Sequence, residues 1–235
     1  MPYNILRALF AVLVSWAFET PSLGHLLWPM AVLLRVAYFG LLRVNEFLGL
    51  LRKDLSFPSN DYSGDSMVLA LASPKTRRYM GRAQFSLIED QSTIRWLQWL
   101  SVGLIPIQKL WPSSPIRFRA LFASLLKRVG LEGTGLTPSS LRPGGATALV
   151  RQGIDLGRLK FRGRWRNENT LASYIQEATC QLTWLHMGPE LQARCATLVS
   201  ESQFAWEQPP NIPLCQLFSR RRQLHQKQKP LHRRR

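Results

Sequence analysis

Six residues of this chain have types and spacings that suit chemistry on a phosphate: Arg43, Glu46, Lys75, Arg142, Trp165 and Tyr174. In GLLRVNEFLGLLRKDL, residues 40–55, Arg43 and Glu46 stand three apart, so on one helix they share a face and can pair; Asp54 follows near the helix end. Taken alone, such a pair is more often a surface salt bridge of an amphipathic helix. Lys75 stands with Arg77 and Arg78 in SPKTRRYMGR, where a lysine on a hairpin loop can contact a phosphate or donate a proton, although alone it is ordinary loop charge. In LTPSSLRPGGATALVRQG, residues 136–153, Arg142 opens a predicted helix beside Pro143, Gly144 and Gly145. A helix N-terminus with an arginine suits a phosphate. Two glycines inside a helical pattern cost about 1 kcal/mol each relative to alanine, so a packing or functional reason is expected. In RGRWRNENTLASYIQEA, residues 162–178, Trp165 precedes Tyr174 by nine residues. A tyrosine, with a reference pKa of about 10, is a poor nucleophile at neutral pH. It becomes useful only where arginines stabilise the charge that develops and another group takes its proton. Outside such a setting it is packing.

The elements that must hold these residues follow from apolar periodicity. Residues 5–18 and 24–52 read as helices, the second broken or kinked near Pro29 and Gly40. The turn-rich stretch 55–65 ends that region, and Met67–Ala72 and Ala83–Ile88 read as a β-hairpin. Helices are predicted at 90–102 and 116–129, with a proline-rich link between them. Thr137-Pro138-Ser139-Ser140 supplies capping chemistry for a helix reaching about 152. Further helices are predicted at 155–161, 167–178 and 189–201. The expected class is α+β: mostly helical, with one small antiparallel sheet. The expected organisation is an N-terminal helix or remnant (1–22), a main domain (23–203), then a linker and basic disordered tail (204–235).

Composition narrows the partner. The chain of 235 residues is 46% apolar, enough for a substantial core. Its 31 lysines and arginines face 14 acids, for a formal charge of +17, an excess that a polyanion would neutralise. Eight of the basic residues lie in the last sixteen, yet the remainder still carries +9, so the body is basic in its own right. Cys180, Cys195 and Cys215 fit neither a metal spacing nor a disulfide framework, and four scattered histidines form no zinc motif. A reducing, intracellular setting is expected, nuclear or otherwise in contact with DNA, and not a secreted one. The two N-terminal apolar runs invite a membrane reading. The first is too short to span, and the second carries His25, Pro29 and Arg35 within it, so buried core helices are expected instead.

The order and spacing of these segments resemble the catalytic domain of the tyrosine recombinase, or phage-integrase-like, family over about residues 24–178. The family's first box, roughly G-x-R-x-x-E followed by L and D, resembles Gly40 to Asp54, with one extra residue between Gly40 and Arg43. Its second box, H-x-L-R-H-x-x-A-T, resembles Ser139 to Thr147 around Arg142. Its last box resembles Gly163, Trp165 and Tyr174, with Arg164 inserted after the glycine. The tryptophan and the altered second box are similar to those of eukaryotic mobile-element recombinases.

The resemblance implies Tyr174 as nucleophile, Arg43 and Arg142 as ligands of the scissile phosphate, Lys75 as proton donor and Trp165 beside the phosphate. It gives Glu46 and Ser139 supporting roles, and Arg77, Arg78, Arg162 and Arg164 are expected to contact DNA. It implies double-stranded DNA as partner, assembly as a tetramer on DNA, and neither metal nor small-molecule cofactor. Two departures stand out: Ser139 and Pro143 occupy the family's histidine positions, and only about twenty residues precede the catalytic region, as in a remnant or fragment. Loss of a proton-transfer histidine is worth on the order of 10²–10⁴ in rate. A catalytically inactive DNA-binding descendant is therefore the main alternative; a type IB topoisomerase and a small membrane protein are the others.

Overall fold

The first forty residues contain so few charges that a helix made from them has little to offer water on any side. In the computed structural model, α1 (Tyr3–Glu19) and α2 (Gly24–Phe39) lie against each other, and nearly every side chain of α2 is buried. The structure describes residues 1–58, 65–72, 81, 83–172, 175 and 182–214. The segment Pro21–Phe39 is long and apolar enough to cross a membrane by length and composition, and 78% of that window is buried inside the protein.

The predicted helix over 24–52 is divided. It runs through Pro29 without ending, stops at Phe39, and gives way to a tight turn in which Leu41 is left-handed (φ 50°). A short α3 (Val44–Leu48) and a 3-10 turn (Arg52–Asp54) follow. Asp54 thus caps its own turn, accepting from the Leu51 amide at 2.9 Å, rather than continuing the face of Glu46.

The hairpin is present as β2 (Met67–Leu71) and β3 (Gln84–Ile88), antiparallel, with Met67 opposite Ile88 and Leu71 opposite Gln84. A two-residue β1 (Leu55–Ser56), too short to leave a sequence pattern, adds a third strand in the order β1-β2-β3. Period-two alternation points Met67, Leu69, Leu71 and Ile88 inward. Ser86, also inward, donates to the Gly40 carbonyl at 2.5 Å and so pins the sheet to the end of α2.

Capping chemistry starts the next helices where the sequence predicts. Asp90 accepts from the Thr93 amide to open α4 (Gln91–Ser101), and Ser114 does the same from Arg117 for α5 (Pro115–Val129). Gly130, at φ 91°, ends α5. A 3-10 turn (Pro138–Ser140) leads into α6 (Leu141–Arg151), followed by α7 (Leu156–Gly163), α8 (Glu168–Ala172) and α9 (Pro189–Glu201). The class is α+β as expected: mostly helical with a small antiparallel sheet.

One expectation needs correction. A linker starting at 204 would leave Trp206 in solvent, but α10 (Gln203–Glu207) packs on α1 and α4, and Trp206 is buried. The N-terminal helix is likewise part of the main core, packed on α2, α5 and α9. Both are held by Arg35, which has no exposed surface at all. Its guanidinium donates to the Thr93 hydroxyl (3.1 Å), the Trp206 carbonyl (2.7 Å), Asp90 (3.3 Å) and Ser92, and lies 3.9 Å from the Trp206 ring centre. Burial lowers its pKa to about 10, against the opposing pull of Asp90, so it remains charged at neutral pH.

Candidate active site

The end of α2, the start of α3, the first turn of α6 and the end of α7 converge on one carboxylate. Glu46 closes the first turn of α3 as a capping residue: its Oε2 accepts from the Arg43 amide and its Oε1 from Arg43 Nη1, each at 2.8 Å. The predicted pair is therefore formed, with Arg43 as the N-cap of a new helix rather than the middle of a long one. Arg164 Nη2 donates to the same Oε2 at 2.9 Å, and Arg142 Nη1 stands 4.0 Å from it. Three guanidinium groups thus surround one carboxylate whose side chain is 4% exposed. Burial pushes the Glu46 carboxyl up, but the Arg164 charge and the Arg43 hydrogen bonds outweigh it, leaving it below the usual carboxylate range.

Arg142 is 2% exposed. Its Nη1 donates to the Leu41 carbonyl at 2.7 Å and its Nη2 to the Gly163 carbonyl at 2.5 Å. Trp165, also buried, lays its ring 4.5 Å from the Arg142 guanidinium, a cation–π contact that fixes the plane of the fork. A Cβ on Gly163 would collide with that ring, which is why a glycine stands two residues before the tryptophan. The close approach expected at Gly144 and Gly145 is to protein. A Cβ on Gly145 would overlap the Tyr38 carbonyl and one on Gly144 the Met1 carbonyl, so the glycines let α6 touch α2 and the N-terminus.

Several expected site residues stand elsewhere than the sequence suggested. Arg164, expected to face DNA, is 3% exposed and directed inward to Glu46. Arg162, expected in the same role, has a side chain 8% exposed and donates to Glu89 at the end of β3 at 2.7 Å. Ser139 is exposed on the 3-10 turn, where it borders a groove with Val44, Arg119 and Phe122. Lys75, Arg77, Arg78 and Tyr174 lie outside the described residues. Among the described residues, no group of three or more His, Cys, Asp or Glu side chains could hold a metal ion.

Sequence reasoning did not foresee that Leu41 and Arg164 belong to the site's framework. They are the non-glycine residues with positive φ among those described, at 50° and 58°, and Arg164 Nη2 lies 3.3 Å from the Leu41 carbonyl. Each falls where the chain carries one residue more than the family pattern: the stretch between Gly40 and Arg43, and the position after Gly163. Those insertions were the available signal. An extra residue in a tight turn must be accommodated locally, and the left-handed region is one way to do so.

A helical body around a small antiparallel sheet, with two boxes of arginines brought to one carboxylate, is the catalytic-domain fold of the tyrosine recombinases. The crystal structure of XerA recombinase is similar over 80% of this chain, with a TM-score of 0.54 at 15% identity. The chain spans 63% of the XerA chain. It belongs to the phage integrase family, whose model matches residues 25–180. No curated protein matches it.

Proposed function

We propose that this protein breaks and rejoins DNA strands, carrying out site-specific recombination or integration. The observation that supports this reading most is the buried Glu46 cluster, where among the described residues three arginines share one carboxylate, a positive excess that a phosphodiester would balance. Arg43, with 22% of its side chain exposed, is the member an incoming phosphate meets first. Arg142 lies behind it with its plane set by Trp165.

In the reaction the Tyr174 hydroxyl attacks the scissile phosphorus. A 3′-phosphotyrosyl bond forms as the bond to the 5′-oxygen breaks, and Lys75 protonates that oxygen. The arginines neutralise charge on the non-bridging oxygens, and attack by a 5′-hydroxyl reverses the step and frees Tyr174. The covalent link conserves the energy of the broken bond, so neither metal nor nucleotide cofactor is required. Double-stranded DNA is the partner and four protomers on two duplexes the working assembly, in the nucleus or another DNA-containing compartment.

A second reading has an observation of its own. Ser139 stands where the family carries a histidine and is exposed, and both terminal nitrogens of Arg142 donate to carbonyls. This favours a descendant that binds DNA without cutting it. Nicked, labelled duplexes from a randomised pool, incubated with the protein and with Tyr174→Phe and resolved on a denaturing gel, separate the two. A slow-migrating covalent adduct absent from the variant establishes the enzyme. Salt-sensitive binding without an adduct establishes the binding protein, and absence of both refutes DNA as the partner.

A further inference from the structure

The helix α5 carries four exposed basic residues and treats those at its two ends differently. In the last turn Lys127 stands 4.0 Å from Glu132, while Arg128 stands 3.5 Å from Glu19 and 4.1 Å from the centre of a Trp16 ring. In the first two turns neither the Arg117 nor the Arg119 guanidinium has a hydrogen bond or ion pair among the described residues. Arg119 borders a groove of about 340 Å³ between α5 and the 3-10 turn Pro138–Ser140. The groove has an apolar wall, in which Val44, Phe122 and Leu136 take part, and Arg119, Thr137 and Ser139 as its polar members. Among the described residues no carboxylate lines it.

The groove adjoins the Glu46 cluster along the chain on two sides. Val44 directly follows Arg43, whose side chain is 22% exposed, and Ser139 stands on the turn that leads into α6. Its volume lies at the lower end of ligand-binding clefts, about 300–1,000 Å³. An apolar wall beside one guanidinium and two hydroxyls matches a sugar–phosphate backbone, in which apolar deoxyribose alternates with anionic phosphodiester. The planar fork of an arginine meets two phosphate oxygens at once.

We infer that this groove carries the stretch of DNA backbone next to the phosphate at Arg43. Arg119 holds the neighbouring phosphodiester, the Ser139 hydroxyl donates to it, and the deoxyribose between packs on Val44, Phe122 and Leu136. The inference rests on the proposed reading of the Glu46 cluster as the seat of a phosphodiester. Arg142, already held by Glu46 and two backbone carbonyls, takes no part in it.

The test titrates a labelled random-sequence duplex pool at a series of salt concentrations. The unmodified protein is compared with Arg119→Gln, Arg119→Lys and Ala123→Leu, and with two controls on the same helix, Lys127→Gln and Ala120→Leu. All of these positions are exposed, so the thermal midpoints should stay together and report that each variant folds. Arg119→Gln should weaken binding about tenfold at low salt and reduce the slope of log affinity against log salt by about 1, the share of one phosphate contact. Arg119→Lys keeps the charge and should keep the slope. Ala123 lines the groove, so Ala123→Leu should weaken binding about fivefold although it removes no charge. The two controls should stay within about twofold of the unmodified protein.

If the unmodified protein shows no salt-sensitive binding, the DNA reading of the site falls and this inference with it. If it binds but Arg119→Gln is no weaker than Lys127→Gln, or Ala123→Leu no weaker than Ala120→Leu, only the role of the groove is overturned.

Discussion

Two regions of this protein bury arginine, and they do so on different terms. Around Arg35 one guanidinium meets Asp90, two hydroxyls and a backbone carbonyl, with the Trp206 ring over its plane. Around Glu46 three guanidinium groups share one carboxylate, and two of them turn to backbone carbonyls. The first region is balanced in charge and joins α1, α2, α4 and α10, so its work is to hold the fold. Among the described residues the second carries more positive than negative charge at a convergence of chain turns, an excess that the proposed phosphodiester would balance. Burial of a cation is therefore no sign of function here; imbalance is.

The sharpest way to break that comparison is to remove each hub. Arg35→Ala should cost about 3–5 kcal/mol in chemical denaturation, because it strands Asp90 and uncovers Trp206. Glu46→Ala should cost a similar amount, about 3–5 kcal/mol, since Arg43 can turn to solvent but Arg142 and Arg164 stay buried without their carboxylate. Added phosphate should recover part of the Glu46 loss and none of the Arg35 loss. Equal recovery in both would erase the distinction.

Acid should separate the regions more gently. The folded Glu46 carboxyl lies below its usual range, so its contribution is complete above the unfolded value of about 4.3 and is lost as pH falls through the lower folded value. Denaturation curves taken down through that window should show a loss of stability that Glu46→Gln flattens; an unchanged acid limb would mean that Glu46 is not held by its arginines. The smallest change sharpens the balanced side. Thr93→Val removes the acceptor of Arg35 Nε and should cost about 1–2 kcal/mol with no effect on the phosphate response.

Local patterns carried much of this architecture. The apolar runs and the hairpin alternation each depend on neighbours within a few residues, and the elements they announce are present. The Arg43–Glu46 pair was readable for the same reason, being three residues apart. The break near Gly40 was readable too, but the left-handed turn at Leu41 was not, because leucine is an ordinary helix former and nothing in its type announces it.

Spacing and residue type thus determined, by themselves, that the chain is α+β with its arginines set in the boxes of the phage integrase family. Only the tertiary structure decided which arginines face inward. Arg164 meets Glu46 across 118 positions of sequence and Arg142 meets Leu41 across 101, while Arg35 reaches the Trp206 carbonyl across 171. A basic residue in a sequence carries the same charge whether solvent or a buried carboxylate receives it. Which of the two does so is settled only when the helices pack and water leaves.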